Sequence, residues 1–331
     1  MADLQLSLVM GPNARSSPVL EGAVKPEGIE FTATRMHPSE IFWRQLAFQE
    51  FDVSEMSMSS LLMATAHGNR DWVGLPIFTS RTFFHTWAWV RTAAGIERPE
   101  DLKDKRVGVP EYQQTAALWS RGALKHEWGV EPEDLDWYME RPPERSHGGA
   151  TGFKPPASIK FQYIPPEKNI GSMLASGELD ATLLYVASNN LVDRSRLRLE
   201  DDPRCHLLFP DPIAEGRRYY AKTGLFPINH GMVVRRSIAE KYPWVVLNIF
   251  NAFQEAKQRS LNTMRELTEP WVRLGFIGPE SVPGLAQDAF PYGVKSNRKV
   301  LETIAAYSNE QGLTPRVLDL GEVFAPATME L

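Results

Sequence analysis

The chain has 331 residues, 43% of them apolar and 23% charged, the balance of a globular protein with room for two domains. That balance excludes disordered, collagen-like and membrane-spanning chains, and 36 basic against 41 acidic residues, with no basic run to track phosphates, exclude nucleic acid as an expected partner. The single cysteine, Cys205, excludes an internal disulfide and a clustered thiolate metal site.

Residues 4–10 alternate in hydrophobicity and stop at Gly11-Pro12, which predicts a first strand. Asp3 precedes it where a secretory leader would carry basic residues, so a cytoplasmic protein is expected. A second strand is expected at 29–33, a helix from Pro38 or Ser39, and a returning strand at 50–53. The spacing then predicts a helix over 57–67 and strands at 73–78 and 87–91. A strand at 106–109 leads through a loop into a helix over 115–128, followed by a strand at 161–164, a helix over 169–176 and a strand at 181–185. Residues 142–156 are rich in proline and glycine and too long for an ordinary connection, so they read as a lid or insertion. A helix over 213–221, a strand at 232–235 and a long helix entered at Pro243 complete the pattern. Strands alternating with helices in this way predict an α/β fold of mainly parallel sheets covered by helices.

Phosphate-cradling glycine patterns are absent, as are GxSxG, HExxH and CxxC, so no cofactor is expected. Polar residues at strand-to-helix junctions remain, where open parallel sheets bind ligands beside helix N-termini. The first junction, residues 54–60, combines four serines with Glu55; one serine can serve as a helix cap, and Ser57 and Glu55 are candidates for ligand contact. The second, residues 109–116, offers Tyr112 and Thr115 at a helix start suited to a carboxylate. Arg121, farther along that helix, either reaches the site or pairs with an acid. The third brings together Arg81 and His85 with residues 226–230, ending in His230. Both histidines have apolar neighbours that would lower an imidazole pKa below about 6.5, and a structural role stands beside the functional one.

At these residues the chain resembles the 4,5-dihydroxyphthalate decarboxylase family, which has the type II periplasmic-binding-protein fold. The resemblance covers nearly the whole chain, with Ser54-Glu55-Met56-Ser57 and Phe226-Pro227-Ile228 through His230 as its more specific segments. It implies two α/β lobes, 1–92 with 223–331 and 93–222, with the ligand in the cleft and hinges near Trp87–Arg91 and Lys222. Phe84 stands where family members often carry a basic residue, and Asn229 where they carry a hydrophobic one. The missing cation bears on recognition of a second carboxylate.

The resemblance implies non-oxidative loss of carbon dioxide from a hydroxylated aromatic acid such as 4,5-dihydroxyphthalate, leaving a protocatechuate-like product. Direct expulsion would leave an aryl carbanion, so protonation of the ring carbon comes first, driven by a deprotonated para hydroxyl. Arg81, with amides near Thr115, is then expected to hold the carboxylate. Ser57, Tyr112 and Arg121 are expected to contact substrate, His85 and His230 to transfer protons, and Glu55 to accept from a hydroxyl or orient a histidine. The expected partner is a small aromatic carboxylate, bound by a monomer or homo-oligomer, with no membrane or nucleic acid involved. The chief alternative is a binding protein that captures a small organic anion for a transporter. A metal-assisted decarboxylase using His85, His230 and Glu55 as ligands is another; a pyrimidine-precursor synthase would need a cysteine-rich motif that one cysteine cannot supply.

Overall fold

The computed structural model describes residues 3–282, 284 and 287–331. Its strands, in chain order, are β1 (Leu4–Met10), β2 (Ile29–Arg35), β3 (Val53–Ser57), β4 (Trp72–Arg81), β5 (Trp89–Arg91), β6 (Arg106–Val109), β7 (Asp136–Met139), β8 (Lys160–Tyr163), β9 (Ala181–Thr182), β10 (Cys205–Leu207) and β11 (Ile228–Arg235). The helices used below are α1 (Ser17–Leu20), α2 (Pro38–Phe48), α3 (Met58–Ala66), α4 (Thr115–Trp128), α5 (His147–Ala150), α6 (Ile170–Ser176), α7 (Pro212–Thr223), α8 (Arg236–Lys241) and α9 (Trp244–Arg273).

The strands form two sheets, ordered β2-β1-β3-β11-β4 and β10-β5-β9-β6-β7-β8. Each runs mostly in one direction, and each contains a strand that opposes its neighbours: β11 lies antiparallel between β3 and β4, and β5 antiparallel between β9 and β10. Those two strands are the ones that arrive from the other sheet. The chain crosses from Arg81 to Trp89 through a 3-10 turn at Phe84–Trp87, and returns from Leu207 to Ile228 through α7. The expected first segment, 1–92, therefore includes β5, which hydrogen-bonds in the second sheet.

Apolar strands set the core. Leu8, Val9 and Met10 of β1, Val53 of β3, and Leu75, Ile77 and Phe78 of β4 are fully buried, each such side chain contributing roughly 1.5–3 kcal/mol. The strand expected at 50–53 lies later, at Val53–Ser57. All of β3 is buried, so it lacks the polar/apolar alternation of a half-exposed strand. Helix α4 is buried from Thr115 through Leu124 and stops at Gly129, whose φ of 64° closes its C-terminus. Gly122 lets the Tyr307 ring onto this helix, since a Cβ there would lie 2.2 Å from it. Trp119 Nε1 donates to the Ile228 carbonyl at 2.9 Å, tying α4 to the start of β11. The N-terminus of α4 and the first residues of β11 are thereby fixed on facing sides of the cleft.

Candidate active site

The cleft holds a chamber of about 220 Å³. A cavity of about 150 Å³ accommodates benzene, so this one suits a single substituted ring.

His230 lies on its wall at a register irregularity in β11, where pairing with β4 shifts on both sides of the residue. Such bulges re-aim side chains. The imidazole Nδ1 donates to Glu55 Oε1 at 2.9 Å, and Nε2 lies 2.8 Å from Asn229 Nδ2 at the chamber wall. Glu55 stands behind it, buried, and also accepts from Thr79 Oγ1 at 2.7 Å and the Gly11 amide at 2.8 Å. Burial alone would raise this carboxyl, but the hydrogen bond and charge of His230, with Thr79 and Gly11, hold it below the usual range. Gly11 permits the close approach: a Cβ there would sit 3.2 Å from Glu55 Oε2. The edge of Phe42 steadies two imidazoles, with its ring 4.7 Å from His230 and 5.8 Å from His147.

The serine run has a use that a helix cap does not exhaust. Ser57 Oγ meets Thr115 Oγ1 at 2.8 Å across the cleft, Thr115 Oγ1 accepts from the Ser59 amide at 2.9 Å, and Ser59 Oγ donates to the Gln113 carbonyl. Ser60 Oγ bonds His147 Nδ1 at 2.7 Å. Ser57 and Thr115 also line the chamber, beside the first turn of α4, whose leading amides have no intrahelical acceptors. Gln114, only 7% exposed, lines it too, and its Nε2 is buried without a partner. These donors make a seat for a carboxylate.

The opposite rim carries three residues that sequence reasoning passed over. His37 caps α2 by accepting from the Ser39 amide and bonds Ser188 Oγ at 3.0 Å; burial lowers its pKa. Arg141, just past β7, donates to Glu111 at 3.0 Å, Asp193 at 2.7 Å and Ser39 at 2.6 Å, so its guanidinium is already occupied. His147, in α5 within the expected lid, pairs with Ser60 and lies 3.3 Å from Glu111, and burial brings it down to about 4. The signals were weak. His37 precedes a helix-starting proline, and His147 lies between a serine and two glycines in a segment without periodicity.

Four expected site residues face elsewhere. His85 packs against Tyr219, Phe209 and Trp128, and its Nε2 lies 3.1 Å from Glu215 Oε1 on α7, joining the two crossings between the sheets. Arg81 donates to the Phe226 and Pro291 carbonyls and to Asn297, on a second cavity; burial lowers it to about 10. Arg121 lies 3.7 Å over the Tyr112 ring and donates to Gln311 and the Tyr112 carbonyl, so these two form a buried stack with Trp137. The trio that the metal-assisted alternative needs does not converge, because His85 is on Glu215 while His230 is on Glu55. No group of three or more histidine, cysteine, aspartate or glutamate side chains that could hold a metal occurs among the described residues. No described helix is long and apolar enough to cross a membrane.

The chain is 32% identical over 333 residues to the 4,5-dihydroxyphthalate decarboxylase of Comamonas testosteroni, spanning 100% of this chain and 99% of the relative. It belongs to the 4,5-dihydroxyphthalate decarboxylase family. A second member, the 4,5-dihydroxyphthalate decarboxylase of Pseudomonas putida, is 37% identical over 220 residues, 66% of this chain and 83% of the relative. No family model matches the chain. Among solved structures, the alkanesulfonate-binding protein of Xanthomonas axonopodis is similar with a TM-score of 0.53 at 15% identity, covering 98% of this chain and 97% of that one. The aliphatic sulphonate binding protein of Escherichia coli is similar with a TM-score of 0.52 at 14% identity, covering 98% and 92%. The chain thus has the periplasmic-binding-protein fold.

Proposed function

We propose that the chamber decarboxylates a hydroxylated aromatic acid of the 4,5-dihydroxyphthalate kind without redox change. The observation that carries this reading is the Glu55–His230 pair, 2.9 Å apart, at the wall of a ring-sized chamber. The departing carboxylate sits on the α4 amides and Gln114 Nε2. Phe84 covers the chamber with a ring, and Arg141 is committed to its own carboxylates, so these neutral donors do the anchoring.

The para hydroxyl gives its proton to solvent at the chamber mouth, since the lone pair of His37 already accepts from the Ser39 amide. The electron pair released moves into the ring and makes the carbon bearing the carboxylate basic. His230, protonated, delivers its Nε2 proton to that carbon while Glu55 stabilises the imidazolium. Asn229 can turn either end of its amide to Nε2 and so serves both protonation states. The carbon–carboxylate bond then breaks, its electrons restore the aromatic ring, and carbon dioxide leaves. Solvent returns the hydroxyl proton and recharges His230.

The test is to incubate the purified protein with a panel of hydroxylated benzoates and phthalates and follow carbon dioxide. Release by the wild type and its loss in His230→Gln is the expected result. A panel of acids that bind without being consumed would overturn this reading in favour of an anion-binding protein.

A further inference from the structure

A second cavity, of about 420 Å³, lies beyond the crossing that carries Phe83 and Phe84. These neighbours face opposite ways: Phe84 lines the chamber and Phe83 lines the second cavity. Arg81, 8% exposed, opens onto the latter. Its hydrogen bonds go to the Phe226 carbonyl at 3.4 Å, the Pro291 carbonyl at 3.2 Å and the Asn297 side chain, all uncharged. Its Nε is buried without a partner, and among the described residues it forms no ion pair. Arg217, at the exposed rim, likewise has no ion-pair partner among the described residues. Asp288, on the same lining, is held by Lys257 at 2.5 Å.

Asp288 acts on Arg81 through its charge only and is already held by Lys257, so the buried guanidinium has no hydrogen-bonded counter-ion, and an anion is what this place wants. Its walls specify more. Phe83 and Phe226 rings lie 5.0 Å apart, and Tyr220, 52% exposed, stands at the mouth. Flat apolar walls accept an aromatic ring, and a guanidinium accepts a carboxylate through paired N–H donors. No histidine lines the cavity among the described residues, so no imidazole there passes a proton to a bound ring.

We infer that the second cavity binds a small aromatic carboxylate, its carboxylate on Arg81 and Arg217 and its ring against Phe83, Phe226 and Tyr220. Arg81 ends β4 and Phe226 precedes β11, so the ligand braces the places where the chain leaves and re-enters the first sheet.

The probe is phthalate, which lacks the ring hydroxyl that the proposed decarboxylation needs; that choice rests on the decarboxylase reading. Calorimetric titration of the full chain should show two phthalates per wild-type chain. Arg217→Glu, at the surface, should lose or weaken one of them about tenfold or more, the worth of a charge-assisted hydrogen bond, and leave turnover at low substrate within about twofold. Arg81→Lys should weaken the same event and gives a second reading at a buried position. One phthalate per wild-type chain, or two that persist unchanged in both variants, overturns the proposal. If the single phthalate competes with turnover, the chamber reading stands and only the second site fails; if no phthalate binds and no acid is decarboxylated, both fail.

Discussion

Glu55 and His230 sit on adjacent antiparallel strands, and the carboxylate of one meets Nδ1 of the other at 2.9 Å. This relationship leaves Nε2, on the other side of the ring, beside Asn229 at the chamber wall. His230→Gln should lower turnover by about 100- to 10,000-fold while phthalate still binds, as expected of a group that transfers a proton. Glu55→Gln should cost ~10- to 100-fold and displace the pH profile, because it acts through the imidazole. Steady-state kinetics of both variants check this; wild-type turnover in His230→Gln would count against the assignment.

His85 should matter for stability and little for chemistry. Its ring is buried among Tyr219, Phe209 and Trp128 and bonded to Glu215, which Arg218 also holds. His85→Gln should keep turnover within about threefold and lose about 1–3 kcal/mol of stability, the range for disturbing a buried hydrogen bond. Urea unfolding and initial rates measured on one preparation separate the two effects.

His147 makes the fold sensitive to acid. Burial brings it to about 4 from the ordinary 6.5, so between these values the unfolded chain binds the proton more readily. Its contribution is complete above pH 6.5 and lost as pH falls to about 4. Glu215 extends the loss: despite burial, Arg218 and His85 hold it at about 2, against an ordinary 4.5. The stability of wild type should therefore decline from pH 6.5 toward 4, and His147→Gln should flatten that limb. An equal slope in the two proteins, measured by urea unfolding across this range, would contradict the prediction.

Gln114 should control affinity more than rate. Its Nε2 has no protein partner beside the open amides of α4, so a ligand oxygen is the missing acceptor. Gln114→Ala should raise KM by about tenfold, and Gln114→Glu by more, since it sets a negative charge against the substrate's own. A fall in kcat at unchanged KM would relocate the carboxylate seat.

Much of the architecture was legible because the elements that build it obey local rules. β1 and α4 carry clear periodicity and end at Gly11-Pro12 and Gly129, and the structure gives them the expected bounds. β7 was missed, since Asp-Trp-Tyr-Met is short and its turn signals are weak, and β3 was set too early because all of it is buried. In the site, residue type was readable and direction was not. The desolvated surroundings of His85 were correctly expected, yet a 3-10 turn can present a side chain to either side, and Phe84 takes the chamber instead. Arg141 and His147 reach the chamber through tertiary contacts with Ser39 and Ser60, more than eighty residues away in the chain, which no local pattern records.

The touching hydroxyls of Ser57 and Thr115 have a temporal meaning. A bond between the halves at the chamber lining resists their separation, so the strength of this clasp bears on how often they part. Where such parting limits the release of product, thickening the surrounding medium slows the cycle even when the carbon chemistry is untouched.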